Sequence, residues 1–301
     1  MAQSQLTAII LTKNEERHIE RCIESTRGIA DQILVVDSFS TDKTVQLAEQ
    51  LGARVIQNAW TNYATQFNFA LSQLANNPEW VLRIDADEYI TEQLKTKLQE
   101  AISGQPEGVN GIYLNRRMYF MGEPVRFGGV FPVEVLRVFR PSAGRCENRW
   151  MDEHIIVDGE TLKIDGELID DNLNSLTWWI DKHNSYASRE AIDLLNLKYG
   201  FLSSETLAKE VSRNQDSRKR YIKEHIYARL PLRFRATLYF LYRYILRGGI
   251  FDRGSARSFH FLQGFWYRYL VDKKVGEVEK ELKNKNSNIQ DIIRYKLGID
   301  P

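Results

Sequence analysis

Two aspartates separated by a single residue, Asp85 and Asp87, follow an apolar segment typical of a buried strand, residues 80–84. Alternate residues of a strand point to the same face, so we expect the two carboxylates to converge at the carboxyl edge of a sheet. Paired carboxylate oxygens at such an edge suit Mg²⁺ or Mn²⁺ carrying a diphosphate. The alternative interpretation is a polar turn after a buried strand.

Two further acids follow predicted strands. Asp37 ends the second strand, where a carboxylate can accept a hydrogen bond from a base N–H or a ribose hydroxyl, or can instead cap the next helix. Glu15 follows the first strand and can face the same edge, or it can be an ordinary acid at a helix start. Both interpretations stay open for both residues.

A further group of two acids and a histidine lies about 65 residues after the aspartate pair. It consists of Asp152, Glu153 and His154. Either carboxylate could act as a general base that deprotonates a hydroxyl, and the histidine could bind metal or orient that base. The alternative is a solvated strand end. His183, in a predicted helix, could contact metal or diphosphate or could satisfy a local hydrogen bond.

The first half of the chain alternates short β-branched runs with helical patterns, which indicates βαβ units and a parallel sheet. Later strands are expected beyond residue 110, and the chain becomes helical after about residue 176. The predicted strands are 6–12, 32–36, 53–57, 80–84, 111–119 and 133–140, with a strand or loop at 150–159, and the main predicted helices are 14–26, 63–74, 178–199 and 205–213.

Composition restricts the class of protein. With 301 residues and 43% hydrophobic content, the chain can form a hydrophobic core. Its net charge of +1 indicates no particular class of binding partner. We expect domains at 1–175 and 176–301. Two cysteines form no disulfide framework and fit a reducing compartment. No signal peptide and no long apolar segment is recognised, so we expect a cytoplasmic protein.

The carboxy-terminal third is strongly basic and aromatic. Residues 209–274 hold 16 Lys or Arg against 5 Asp or Glu, a net charge of +11. An amphipathic segment at 230–270 could lie peripherally on the inner face of the cytoplasmic membrane. The alternatives are packing on the catalytic core and a homo-oligomer interface. No nucleic-acid-binding motif is present, so we expect no nucleic acid partner.

Four segments, in order and at matching spacing, resemble the family 2 glycosyltransferases, closest to the branch of lipopolysaccharide-core and capsule transferases. They are IILTKNEE at 9–16, ILVVDSFSTDKT at 33–44, QFN at 66–68 and WVLRIDADE at 80–88. The resemblance is dense over residues 6–90 and looser beyond. It implies an α/β fold of the GT-A type, which is a Rossmann-like sheet of nucleotide-diphospho-sugar transferases, here with a helical C-terminal extension.

The resemblance also implies a nucleotide-sugar donor, most commonly a UDP-sugar, and inversion at the anomeric carbon. The acceptor would be a hydroxyl of a glycan or of a polyprenyl-diphosphate-linked glycan in bacterial surface polysaccharide synthesis. Five residues match the family's donor-binding positions, and Asp37 matches the acid that meets the nucleoside. The donor-binding residues are Thr12, Glu15, Asp37, Asn68 and Asp85.

By the same resemblance, Asp85 is the first acid of the Asp-x-Asp motif, near ribose and metal, and Asp87 is the metal ligand. Glu153 falls at the position of the catalytic base. The order Asp-Glu-His departs from the commoner His-Glu pair, so Asp152 remains a rival base. Phe67 replaces a basic residue that usually precedes the asparagine, which puts a diphosphate contact there in doubt.

Two other classes of function remain as alternatives. A nucleotidyltransferase that makes a nucleotide sugar has a related sheet, but it usually has a glycine-rich phosphate loop after the first strand, and residues 11–16 contain no glycine. A non-catalytic scaffold could retain the same fold. The presence of Asp85, Asp87 and Glu153 counts against that alternative.

Overall fold

A computed structural model describes residues 6–75, 78–104, 108–147, 154–201, 234–284 and 288–299 of the chain. Backbone contacts divide it into two compact units, Met1–Val125 with Val130–Leu173, and Arg126–Gly129 with Asn174–Pro301. The candidate bases Asp152 and Glu153, and the helix predicted at 205–213, lie outside the described residues.

The first unit contains a mixed sheet of nine strands and a separate two-stranded hairpin. The strands are β1 Leu6–Thr12, β2 Gln32–Asp37, β3 Arg54–Gln57, β4 Trp80–Asp85, β5 Glu88–Ile90, β6 Val109–Phe120, β7 Glu123–Pro124, β8 Val133–Phe139, β9 Gly144–Cys146, β10 Ile155–Val157 and β11 Glu160–Asp171. The sheet order is β3-β2-β1-β4-β8-β6-β11-β5, with β7 beside β6, and β9 pairs with β10.

Strand direction changes three times along this sheet, each time beyond β4. The pairs from β3 to β4 are parallel, as the alternation of strands and helices predicts. Beyond β4, β8 is antiparallel to both β4 and β6, while β11 runs parallel to β6 and antiparallel to β5. The predicted α/β class is therefore confirmed, and the four amino-terminal strands form its longest run of parallel pairs.

Four helices cover the two faces of the parallel strands: α1 Ile19–Thr26, α2 Thr44–Gln50, α3 Tyr63–Ser72 and α4 Glu92–Gly104. Because side chains alternate along β1, Ala8 and Ile10 join the core that contains residues of α1, α2 and α4. Ile9 points to the other face, where it packs with Phe67 of α3. Both faces are buried, which is why the parallel strands are almost continuously apolar.

Strand register places the candidate residues at one edge. Thr12 is paired with Asp37, and Leu11 with Asp85, so the carboxyl ends of β1, β2 and β4 lie side by side. The expectation that Asp85 and Asp87 share one strand face is wrong, because β4 ends at Asp85 and Asp87 lies in the turn before β5. The turn, and not strand alternation, sets the direction of the second aspartate.

The second unit is helical. Its described α-helices are α5 Leu176–Tyr199, α6 Phe234–Leu241, α7 Gly254–Phe261, α8 Tyr267–Asn284 and α9 Ile289–Leu297. Apolar residues of α5, α8 and α9 form its core. Within the described ranges, no helix is both long enough and apolar enough to span a membrane.

Candidate functional site

Asp37 is fully enclosed at the end of β2. Its carboxylate accepts hydrogen bonds from Oγ1 of Thr12 at 2.9 Å, from the backbone N–H of Ser40 at 2.8 Å and from Nε2 of Gln57 at 3.3 Å. The side chain of Asp37 has 0% exposure. Two of the predicted donor-binding residues, Thr12 and Asp37, are thus in direct contact, and together they hold the start of the loop after β2.

The loops after β1 and β2 are joined to each other. The backbone N–H of Asn14 donates to Oγ of Ser40 at 2.8 Å, and the Asn14 side chain accepts from the N–H of Thr41 at 2.8 Å. Asn14 has a φ of 57°, a left-handed conformation that asparagine adopts more readily than most residues. This arrangement gives the first two strands one continuous polar rim.

Glu15 belongs to the same rim and is held by a buried histidine. Nδ1 of His18 lies 2.6 Å from the carboxylate of Glu15. Nε2 of His18 accepts a hydrogen bond from the backbone N–H of Leu173 at 2.9 Å, which leaves Nδ1 as the donor to Glu15. Glu15, at the start of the chain, is therefore tied to the segment that follows β11.

Asp85 has a hydrogen-bond donor on each carboxylate oxygen. The Tyr63 hydroxyl donates to Oδ1 at 2.8 Å, and Nη2 of Arg137 donates to Oδ2 at 2.8 Å. Burial alone would raise the pKa of Asp85, but Arg137 and Arg83 hold it well below the usual range. Asp85 is accordingly a fixed, ionised carboxylate.

Glu88 contacts both Asp85 and Arg137 and is almost completely buried. Its Oε2 accepts from the backbone N–H of Asp85 at 3.0 Å, and its Oε1 accepts from Nη2 of Arg137 at 2.5 Å. Burial raises the pKa of Glu88, and the negative charge of Asp85 adds to this, against the opposing effect of Arg137. Arg137 thus serves two carboxylates, and its own pKa is raised despite its burial.

Asp87 is held differently. Its Oδ2 accepts from Nδ2 of Asn172 at 3.0 Å, and its backbone carbonyl accepts from the N–H of Asp171 at 3.1 Å. Within the described part of the chain, Oδ1 of Asp87 has no hydrogen-bond partner. Asp87 is therefore the acid of the motif with an oxygen available for a ligand.

Asp170 adds a further carboxylate that sequence reasoning missed. Burial raises the pKa of Asp170 to about 6, and the negative charge of Asp87 contributes to the rise. Nη1 of Arg116 lies 3.7 Å from its carboxylate. The signal in the sequence is the polar run Asp170-Asp171-Asn172 at the end of a strand, the same pattern as in the aspartate pair.

The side chain of Asn68 is hydrogen-bonded to the backbone of another residue, Cys146. It donates to the carbonyl of Cys146 at 3.1 Å and accepts from the N–H of the same residue at 3.1 Å. Cys146 ends β9, and its hairpin partner β10 begins just after His154. The connection between them includes Asp152 and Glu153. Asn68 therefore anchors the strand that leads into the candidate bases.

The two histidines proposed as ligands have different surroundings. His154 is exposed, and its carbonyl accepts from the N–H of Glu147 at 2.9 Å. His183 stacks on Trp179 with ring centroids 3.5 Å apart, and Nδ1 lies 2.9 Å from the carbonyl of the same residue. These contacts agree with the local role of His183. Among the described residues, no cluster of three or more His, Cys, Asp or Glu side chains could by itself hold a metal ion.

Several residues that complete the site were not predicted from the sequence. They are Tyr63, Arg83, Glu88, Arg116, Arg137, Asp170 and Asn172. Arg83 and Glu88 lie within the aspartate motif itself, and Asp170 and Asn172 belong to the polar run at the end of β11. The others join the site across long separations in the chain, where no local pattern links them to it.

Parts of this chain are similar to known glycosyltransferases. A family model described as glycosyl transferase family 2 matches residues 7–139. An uncharacterized glycosyltransferase of Rickettsia bellii is 45% identical over 101 residues, which is 34% of this chain and 34% of that protein. The chain thus matches about a third of the length of this relative.

One relative matches almost from end to end. The lipopolysaccharide core biosynthesis glycosyltransferase LpsC of Rhizobium meliloti is 27% identical over 297 residues, which is 96% of this chain and 98% of that protein. Among solved structures, the glucosyl-3-phosphoglycerate synthase of Mycobacterium tuberculosis in complex with Mn²⁺ and UDP is 23% identical, covers 39% of this chain and 45% of that chain, and has a TM-score of 0.32.

The match ends with the last residue of β8, so it takes in the rim after β1 and β2, the aspartate motif and Arg137. The sheet and the helical second unit, with this match, confirm the predicted GT-A class of fold. Residues 7–139 of this chain are therefore similar to the family 2 glycosyl transferase domain.

Proposed function

We propose that the protein is a metal-dependent, inverting glycosyltransferase. It would move a sugar from a nucleotide-sugar donor, a UDP-sugar by the family resemblance, to a hydroxyl of a glycan or a polyprenyl-diphosphate-linked glycan. The observation that carries the proposal is that Asp37 and Asp85 end the strands on either side of β1, with Asp87 in the turn after Asp85, within the segment that matches the family 2 model. The likeness to a lipopolysaccharide core transferase over nearly the whole chain supports a surface-glycan acceptor.

The residues at this edge fit a divalent cation. Asp87 offers an oxygen that has no partner among the described residues, whereas both oxygens of Asp85 already accept from Tyr63 and Arg137. Mg²⁺ sites commonly use one or two carboxylates together with substrate phosphates. We therefore assign Asp87 as the ligand, with Asp85 beside it. Mg²⁺ or Mn²⁺ bound there would neutralise negative charge on the diphosphate.

The remaining roles belong to side chains of this chain. The rim that contains Thr12, Glu15 and Asp37 would orient the nucleoside. Glu153, or its neighbour Asp152, would accept the proton of the acceptor hydroxyl. That oxygen forms a bond to the anomeric carbon while the bond to the diphosphate breaks on the opposite face, so the configuration inverts. The products are the glycosylated acceptor and a nucleoside diphosphate.

A thermal-shift experiment tests the donor site. UDP, GDP, CDP and dTDP would be added to the full chain, each with and without Mn²⁺. A ligand that binds only the native state stabilises it by about 2.7 kcal/mol at a hundredfold excess over Kd. We expect a shift with UDP that requires Mn²⁺, is lost in Asp87→Asn and is retained in Asp165→Asn, a control at an exposed aspartate.

Transfer assays then separate binding from chemistry. We expect Glu153→Gln to keep the metal-dependent UDP shift and to lose turnover. If Asp152→Asn loses turnover and Glu153→Gln does not, the base is Asp152. A well-folded protein with no shift for any nucleotide, or full turnover in Asp87→Asn, would contradict the proposal.

A further inference from the structure

Helix α6 and the π-helical turn that continues it, Tyr242–Leu246, expose their apolar side chains and bury arginines. Apolar and aromatic residues repeat at helical spacing along one side and point outward. The exposed members are Phe234 (60%), Leu238 (41%), Leu241 (42%), Tyr242 (47%), Ile245 (57%) and Leu246 (76%). Isolated exposed apolar residues are common in proteins, but a continuous stripe of six marks an interaction surface.

The opposite side of the same helix is buried and carries arginines. Arg235 is 2% exposed and makes an ion pair with Asp272, which is also buried. Arg243 is 4% exposed and donates to the carbonyl of Gly128 at 3.2 Å. Burying charged groups is costly unless they are paired, so these contacts fix the orientation of the helix. Because the arginine side is held in the interior, the apolar stripe faces solvent.

A second apolar segment, the short 3₁₀ turn Gly249–Phe251, follows in the same unit. Phe251 is 70% exposed, and its ring meets that of Phe127 edge-on at 6.0 Å. Asp252 accepts from the backbone N–H groups of Arg126 at 3.1 Å and Phe127 at 3.1 Å. This carboxylate holds the two exposed phenylalanines together.

The exposed charged side chains within residues 234–271 are all positive. Between residues 234 and 271 the sequence contains one acid, Asp252, and it is 3% exposed and lies 2.7 Å from Nε2 of His260. Three arginines in the same interval, Arg247, Arg253 and Arg257, are exposed. Within residues 234–271, the exposed side chains therefore combine large apolar groups with positive charge and include no acid.

We propose that this surface, the apolar–arginine face defined by residues 234–261 and Phe127, binds the interface of an anionic phospholipid bilayer. Apolar side chains would enter the boundary between headgroups and acyl chains, and the arginines would meet lipid phosphates. A second copy of the chain fits less well, because a two-fold contact through this face would bring arginines together, and the exposed residues of 234–271 include no acid to oppose them. The inference goes beyond the transfer reaction and does not depend on it.

Vesicle flotation of the full chain, without donor or acceptor, tests the proposal. Vesicles of phosphatidylcholine alone are compared with vesicles that also contain phosphatidylglycerol. We expect binding to the anionic vesicles, weakened at high salt. Leu246→Glu should lower the partition coefficient at least about tenfold, because the burial of one leucine side chain strengthens binding by at least that factor. Leu197→Glu, a matched change at a leucine of α5 that is 58% exposed, should not change it.

The arginines are tested separately. Arg247→Ala and Arg253→Ala should each lower binding to anionic vesicles about fivefold. Circular dichroism and thermal melting confirm that each variant is folded. The proposal is overturned by absence of vesicle binding, by equal binding to neutral and anionic vesicles, or by equal loss in Leu197→Glu. Sedimentation that shows a dimer dissociated by Leu246→Glu, without vesicle binding, would assign the face to a second copy instead.

Discussion

Nη2 of Arg137, on β8, donates a hydrogen bond to Oδ2 of Asp85, at the end of the neighbouring strand β4, at a distance of 2.8 Å. The same nitrogen lies 2.5 Å from Glu88. The first aspartate of the motif is thus held in place by a buried guanidinium from a strand 52 residues away in the chain. The direction of the Asp85 carboxylate depends on this ion pair.

Replacing Arg137 with methionine would leave Glu88 buried without its nearest cation, with only Arg116 at 4.0 Å. We expect Arg137→Met to lower the free energy of unfolding by about 3–5 kcal/mol, the usual cost of breaking a buried ion pair by removing one partner. Urea denaturation followed by tryptophan fluorescence measures this loss.

The double variant Arg137→Met with Glu88→Gln serves as the control. Glutamine keeps an acceptor for the backbone N–H of Asp85 and removes the uncompensated charge. We expect it to recover part of the lost stability, giving a coupling energy above about 1 kcal/mol, as for other residues in contact. Additive losses would show that Arg137 and Glu88 do not act as a pair.

Removing the side chain of Asn68 should affect turnover more than donor binding. Asn68→Ala deletes two hydrogen bonds to Cys146, so β9 loses its anchor beside the segment that contains Asp152 and Glu153. We expect kcat to fall at least about tenfold, which corresponds to 1.4 kcal/mol in the barrier, with little change in the donor KM. Steady-state kinetics measures both quantities.

Asn110→Ala is the matched control for Asn68. Its amide also holds the hairpin, donating to the carbonyl of Asp158 at 2.7 Å, but at the far end of β10. We expect a loss of stability without the loss of kcat. A rise in donor KM with unchanged kcat in Asn68→Ala would instead indicate that Asn68 contacts the donor.

The carboxylate of Asp37 should be needed for both folding and donor affinity. Asp37→Asn replaces an acceptor oxygen with an N–H₂ group next to donors such as the N–H of Ser40. We expect the free energy of unfolding to fall by about 1.5–3 kcal/mol, the contribution of hydrogen bonds to a charged group. The donor KM should rise, since the rim after β2 loses its support.

Thr12→Val removes a single hydrogen bond to Asp37 and provides the comparison. We expect it to cost about 1 kcal/mol. Equal losses in the two variants, measured by urea denaturation, would show that the charge on Asp37 is unimportant.

The stability contributed by His183 should depend on pH. Burial lowers the pKa of His183 to about 4, from about 6.5 for an unperturbed histidine. Between these two values the unfolded chain binds a proton that the native protein does not, so this contribution is present above about pH 6.5 and is lost as the pH falls toward 4. Replacement by glutamine removes that dependence.

Thermal melting of the wild type and His183→Gln from pH 7.5 to pH 4 checks the sign. The variant should melt lower at pH 7.5, because it loses the stack on Trp179, and the difference should shrink as the pH falls. A difference for His183→Gln that grows with acidity would mean that the protonated form is favoured in the native state.

Elements of the parallel half of the sheet follow from local patterns. The strand predicted at 6–12 is found at Leu6–Thr12, and the one predicted at 80–84 is extended by a residue, to Asp85. The helix predicted at 14–26 begins only at Ile19, because residues 14–18 form the turn that carries Asn14 with a positive φ. Local periodicity specifies an element better than its boundary, since caps and turns decide where it begins.

The positions of Asp37 and Asp85 were also accessible from the sequence. A polar residue that ends a buried parallel strand must lie at the carboxyl edge, and adjacent strands bring such residues together. The pairs Thr12 with Asp37 and Leu11 with Asp85 show this directly. Residue type and strand order are sufficient for that inference.

Other features were decided only by the tertiary structure. The antiparallel strand β8 brings Arg137 to Asp85 and Glu88, and β11 brings Asn172 to Asp87. The outward direction of the apolar side of α6 was likewise undetermined, because an amphipathic pattern does not say which side is buried. Buried partners such as Asp272 for Arg235 decide it, and such long-range pairing depends on the packing of the whole unit and not on local periodicity.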